Sequence, residues 1–128
     1  MKDFRKLTVW HKAHASAVAI YQATRRYPRD ELYGLTSQTR RAAVSVAANI
    51  SEGCGRATDA DFARFLEMAS GSASELEYHL LLASDLEFLP AKEHEHLGAS
   101  VREVKRMLSS LTKRLRGNTP VSKDHTDH

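Results

Sequence analysis

Residues 34–56 read GLTSQTRRAAVSVAANISEGCGR. From Ala42 to Ser51 the stretch carries no charged side chain. A surface helix keeps one polar face for water, whereas a helix that is apolar or small all round is surrounded. Thr39, Ala43, Val46, Ile50 and Gly53 recur at gaps of three and four and form one stripe, which is helical spacing. Gln38, Ser45, Asn49 and Glu52 form a polar stripe beside it, and Arg40, Val44, Ala47 and Ser51 lie on a third side. Gly34 frees the backbone ahead of the helix, Thr36 is the expected N-cap, and Gly53 followed by Gly55 is the expected stop. The helix would be about 25 Å long at the standard rise. A bundle of four helices covers about half of such a circumference. The remainder, Ala43, Val44, Ala47, Ala48 and Ser51, is expected to meet a second copy of the chain. Against this, alanine exposes little apolar area, so an alanine-rich face also tolerates water.

The flanking sequence supplies three more helices. Leu7, Trp10, Ala13, Ala17, Ile20, Thr24 and Tyr27 mark a first helix, closed by Pro28, which pushes its predecessor out of helical geometry. Thr58-Asp59-Ala60-Asp61 has the form of a capping box with Asp in place of Glu. It opens a third helix, expected to reach Phe88, with the stripe Phe62, Phe65, Leu66, Ala69, Ala73, Leu76, Leu80 and Ala83. The small residues Ala69 to Ser74 include Gly71, and glycine in mid-helix costs about 1 kcal/mol against alanine. Close approach of the second helix is the expected compensation. Pro90 or Ala91 opens a fourth helix whose seam is Leu97, Val101, Val104, Leu108, Leu111 and Leu115, stopped by Gly117-Asn118. The expected fold is all-α, an antiparallel up-down four-helix bundle over residues 1–117, with a disordered polar tail at 118–128.

At 128 residues the chain fits one domain. Cys54 is the single cysteine, which rules out an internal disulfide and suits a reducing compartment. Neither a membrane-length apolar run nor a leader is indicated, so a cytoplasmic location is expected. Charge is unevenly distributed. Residues 1–29 hold seven Lys/Arg against one Asp, and residues 57–89 hold one Arg against seven Asp/Glu. Two explanations stand: acidic and basic helices pack side by side, or a basic surface serves an anionic partner.

Enzymatic chemistry finds little footing. A di-iron bundle needs two Glu-x-x-His motifs and two further Glu residues. Only Glu93-x-x-His96 has that spacing, and Glu75 with His79 does not complete the set. No phosphate-cradling glycine loop is present, and nothing assigns a base to Cys54, which reads as incidental rather than reactive. No cofactor, catalytic residue or metal site is expected. The arginines remain. Arg25, Arg26 and Arg29 at the end of the first helix and Arg40 and Arg41 at the start of the second would share one end of an up-down bundle. With Arg56 they are the candidate nucleic-acid contacts, since the guanidinium fork suits phosphate. Lys105, Arg106, Lys113, Arg114 and Arg116 add a basic run on the fourth helix. The alternative is that Arg40 or Arg41 pairs with Glu31 or Glu52, within the chain or across a subunit boundary.

Several blocks carry a family resemblance: Leu7-x-Val9-Trp10, Tyr27-Pro28, Glu31-x-Tyr33-Gly34-Leu35-Thr36-Ser37-Gln38-x-Arg40-Arg41-Ala42, Ser45-Val46-x-x-Asn49-Ile50-x-Glu52-Gly53-x-x-Arg56, Phe62-x-x-Phe65-Leu66-x-x-Ala69-x-Gly71-Ser72-x-x-Glu75-Leu76 and Met107-Leu108-x-x-Leu111. Over residues 4–115 the chain resembles the bacterial four-helix bundle proteins associated with intervening sequences of 23S ribosomal RNA genes. That family includes the accessory variability determinant of diversity-generating retroelements. The resemblance implies protomers assembled as a homopentamer. For the retroelement member it also implies binding of RNA or DNA and of a reverse transcriptase.

Overall fold

A computed structural model describes residues 3–117; the tail expected at 118–128 lies outside the described residues. Four helices account for the fold: α1 (Thr8–Thr24), α2 (Leu35–Cys54), α3 (Asp59–Asp85) and α4 (Ala91–Gly117). Short 3-10 turns precede α1 at Phe4–Lys6 and α2 at Arg29–Glu31. Among the described residues there is no strand. Each helix packs on its neighbours in the cyclic order α1, α2, α3, α4.

Direction follows from which residues meet. Ser45 faces Ser72, while Gly53 faces Phe62 and Phe65, so α2 and α3 run oppositely. Glu77 meets Lys105 and Glu67 meets Arg116 between α3 and α4. Lys12 meets Glu103 and Arg26 meets Glu93 between α1 and α4. As indices rise on one helix they fall on its neighbour in all three pairs. The four helices therefore alternate up and down.

The core is drawn from all four helices. Ile20, Ile50, Leu66, Leu76, Leu80, Val104 and Leu108 are essentially sealed from water. Thr39 sits fully buried among them because its hydroxyl donates to the Leu35 carbonyl at 2.6 Å. The stripe Thr39, Ala43, Val46, Ile50 and Gly53 is buried throughout, as its spacing requires.

Several boundaries differ from the sequence expectation for identifiable reasons. Thr36 is not the N-cap of α2. Gly34 holds that position, and the Glu31 carboxylate accepts from the Leu35 N–H at 3.1 Å. A side chain reaching up from the preceding turn thus satisfies the orphan donor, and Thr36 lies inside the helix, 3% exposed. Thr58 caps α3 as expected, its hydroxyl accepting from the Asp61 N–H at 3.1 Å. The third helix stops at Asp85 rather than Phe88. Glu87 turns left-handed at φ 65°, and the Phe88 N–H donates to the Ala83 carbonyl at 2.9 Å, the closing bond of a Schellman motif. Gly71 does not face α2 but points outward, with nothing within 4 Å of where a Cβ would stand. The small-residue run does meet α2 at Ser72, whose hydroxyl lies 2.8 Å from that of Ser45, and a second tight contact forms at Gly53, where a Cβ would come within 2.9 Å of both Phe62 and Phe65.

Candidate nucleic-acid interface and assembly surface

The Pro28–Gly34 connection returns the chain from the end of α1 to the start of α2 and brings two groups of arginines to one end of the bundle. Between them lies an open cleft of about 650 Å³, lined by Thr24, Arg25, Tyr27, Pro28, Arg29, Leu32, Thr36 and Arg40. Arg40 is the most tightly held. Its Nε donates to Thr24 Oγ1 at 2.8 Å, and its guanidinium lies over the Tyr21 ring, 4.8 Å from the centroid. Thr24 is oriented in turn by donating to the Ile20 carbonyl at 2.7 Å. The remaining N–H groups of the fork have one long contact, 3.5 Å to the Tyr21 carbonyl, and no other among the described residues. Arg25 and Arg29 are exposed and, among the described residues, make no ion pair, hydrogen bond or ring contact.

The other three candidate arginines divide. Arg41 is exposed and unpaired among the described residues, but it does not line the cleft. Arg26 is engaged by the Glu93 carboxylate of α4. Arg56 sits at the far end of α2, paired with Glu52 at 3.1 Å and lying over the Phe65 ring at 4.5 Å. From sequence, five of the six candidate arginines are expected at one end; the fold brings three of them, Arg25, Arg29 and Arg40, to the lining of one cleft. Within the chain neither Glu31 nor Glu52 pairs with Arg40 or Arg41: Glu31 caps α2 and Glu52 holds Arg56.

Tyr27 forms part of the cleft wall and is buried, stacked obliquely on Phe88. Burial, reinforced by the nearby Glu93 charge, pushes its phenol up to about 12, so it remains a neutral donor at neutral pH. That phenol oxygen has no hydrogen-bond partner among the described residues. Nor does the Thr36 hydroxyl make a hydrogen bond among the described residues.

A second basic hollow, of about 430 Å³, lies at the opposite end, where Lys6, Arg106 and Arg114 meet along α1 and α4. The basic run on α4 was legible, but Lys6 joins it only through the fold. Lys105 and Arg116 of that run are taken up by Glu77 and Glu67 of α3.

The outer seam between α1 and α2 is an apolar groove of about 530 Å³, its walls including Phe4, Trp10, Val18, Tyr21, Val44 and Ala48. Trp10 stacks on His14 with centroids 4.9 Å apart and planes within 5°. Val44 is 45% exposed, and Ala47 and Ser51 also line the groove. Ala43 does not belong here: it is 1% exposed, inside the protomer's own core, and closed to a second copy.

A family model described as 23S rRNA-intervening sequence protein matches residues 5–110. The chain belongs to that family. The match spans all of α1 to α3 and most of α4. Among solved structures, the chain is similar to a protein of unknown function from the S23 ribosomal protein family of Bacteroides thetaiotaomicron, at 28% identity and a TM-score of 0.75. That likeness covers 83% of this chain and 99% of the other. No functionally curated protein matches. Among the described residues, no group of three or more His, Cys, Asp or Glu could hold a metal ion. No described helix is long and apolar enough to cross a membrane.

Proposed function

We propose that the protein is a non-enzymatic, self-associating helical bundle that binds nucleic acid through its basic ends. The observation that carries this reading is the set Arg25, Arg29 and Arg41, exposed beside a pre-oriented Arg40 with no carboxylate answering any of them among the described residues. Uncompensated guanidiniums at one end of a molecule raise the local potential and release counterions on meeting phosphates. Measuring RNA and DNA binding across a salt series tests it. Affinity should fall linearly on a double-logarithmic plot, and Arg25→Ala or Arg41→Ala should each lower the slope by about 1. Arg26→Ala and Arg56→Ala should change the slope little, since Glu93 and Glu52 already answer those charges. Absence of any complex at low salt would overturn the reading.

Self-association rests on the α1–α2 groove, whose exposed Val18, Tyr21 and Val44 lie beside small Ala47 and Ala48. A pentamer is the number, and a reverse transcriptase the protein partner, that the sequence resemblance implies. Val44→Glu should convert the assembly to monomers in light scattering behind size exclusion. An unchanged mass would remove the groove from the interface. The competing reading, an interaction module whose arginines only form ion pairs, draws on Arg26 and Arg56; flat binding curves with an intact oligomer would favour it.

A further inference from the structure

The cleft between α1 and α2 differs from a generic basic patch in shape and in donor content. Its volume of about 650 Å³ falls within the range of roughly 300–1,000 Å³ typical of small-ligand sites. Three guanidiniums line a single hollow rather than tracking a strand. Two of its lining residues, Thr36 and Tyr27, are more than nine-tenths buried and carry hydroxyls without a hydrogen-bond partner among the described residues. The Tyr27 hydroxyl is sealed within the wall, which leaves the Thr36 hydroxyl as the donor that a ligand atom could use. Tyr27, Pro28 and Leu32 add apolar wall, and Leu32 is 47% exposed, an available surface for a flat ring.

An internal phosphodiester brings one negative charge and two free oxygens. A terminal phosphate monoester brings close to two charges and three oxygens at neutral pH. Three arginines lining one hollow, with no carboxylate among the lining residues, match the second better than the first. We propose that this cleft is a site for a phosphate monoester carried on a nucleoside, either the phosphorylated end of a strand or a free mononucleotide. Arg25, Arg29 and Arg40 would hold the phosphate, Thr36 would donate to it, and the Tyr27–Pro28–Leu32 wall would lie against the base.

The proposal narrows the nucleic-acid reading from backbone to terminus, and one experiment separates the two. Binding of the full chain to one short oligonucleotide is measured near physiological salt with its 5′ end, its 3′ end or neither phosphorylated, with adenosine monophosphate, adenosine and inorganic phosphate as competitors. A phosphorylated end should bind about tenfold tighter than the hydroxyl form. Adenosine monophosphate should compete better than inorganic phosphate, and adenosine hardly at all. Arg29→Ala and the near-isosteric Thr36→Val should erase the preference for a phosphorylated end, with folding checked by circular dichroism. Arg41→Ala, outside the cleft, should weaken all forms alike. Equal binding of phosphorylated and hydroxyl strands without competition by the mononucleotide overturns the proposal while leaving strand binding standing. Binding of the mononucleotide but of no strand assigns the cleft to free nucleotide and removes the nucleic-acid reading. Binding of neither removes both.

Discussion

Arg40 of α2 and Thr24 of α1 are joined by a hydrogen bond of 2.8 Å from the guanidinium Nε to the threonine hydroxyl oxygen. The threonine is 2% exposed and uses its own proton on the Ile20 carbonyl, so it can only accept from Arg40. One face of the guanidinium is covered by Tyr21. The arginine therefore enters the cleft already oriented, with little rotamer freedom left to lose on binding.

Thr24→Val should accordingly loosen Arg40 while keeping the shape of the site. Stability should fall by about 1 kcal/mol in urea denaturation, the net worth of a neutral hydrogen bond. Strand affinity should fall severalfold, with the salt slope unchanged, because the charge is still present but no longer held. A change of slope would mean that Arg40 had left the site.

Gly53→Ala tests a tight contact between α2 and α3. The new methyl would stand 2.9 Å from Phe62 Cδ1 and from Phe65 Cβ. The ring edge can yield, but Phe65 Cβ is tied to the α3 backbone and moves only with the helix. Overpacking of this kind costs about 1–3 kcal/mol, against about 1 kcal/mol regained in helix propensity. A net loss is expected, read as a lower thermal midpoint; an unchanged midpoint would show that α2 and α3 separate freely here.

Glu87→Gly should act in the opposite direction. Glu87 is the one non-glycine residue at positive φ among the described residues, at 65°, and it is exposed. A left-handed conformation costs a side chain-bearing residue roughly 1–2 kcal/mol. Glycine removes that cost but adds unfolded-chain entropy, so a gain of about 0.5–1 kcal/mol is expected in chemical denaturation.

Tyr27 predicts an alkaline limit. Its folded-state value lies at about 12, above the ordinary 10.0, because burial penalises the phenolate. The neutral phenol is the form the fold accepts. Its contribution is whole below pH 10 and is lost as pH rises toward 12. Tyr27→Phe should flatten that alkaline loss. At neutral pH it should be neutral or stabilising by up to about 1 kcal/mol, since the buried hydroxyl it removes has no partner. Alkaline melts identical to those of the parent chain would place the cause elsewhere.

The four helices could be read from residues because each is announced by short-range chemistry: Pro28 after α1, Thr58 before α3, Pro90 before α4, and stripes at gaps of three and four throughout. Departures occur where one feature has two physical solutions. Thr36 could have capped α2, but Glu31 reaches the same donor from the preceding turn. Gly71 lies in a run of small residues, yet Ala69, Ala73 and Leu76 fix the buried face, which leaves position 71 on the opposite side. The arginines were visible, whereas their partners were not. Glu93 is 67 residues from Arg26, and only the packing of α1 on α4 brings it there.

The cleft lies where the end of α1, the Pro28–Gly34 connection and the start of α2 meet, away from the layers of Ile20, Ile50, Leu66 and Leu108 that hold the bundle together. The exposed lining residues Arg25, Arg29 and Leu32 take no part in the buried core. Substitutions at 25, 29 and 32 can accumulate on exposed positions without disturbing a single core contact. Relatives with the same interior are free to diverge in what they hold at this end, so a common fold in this family need not mean a common ligand.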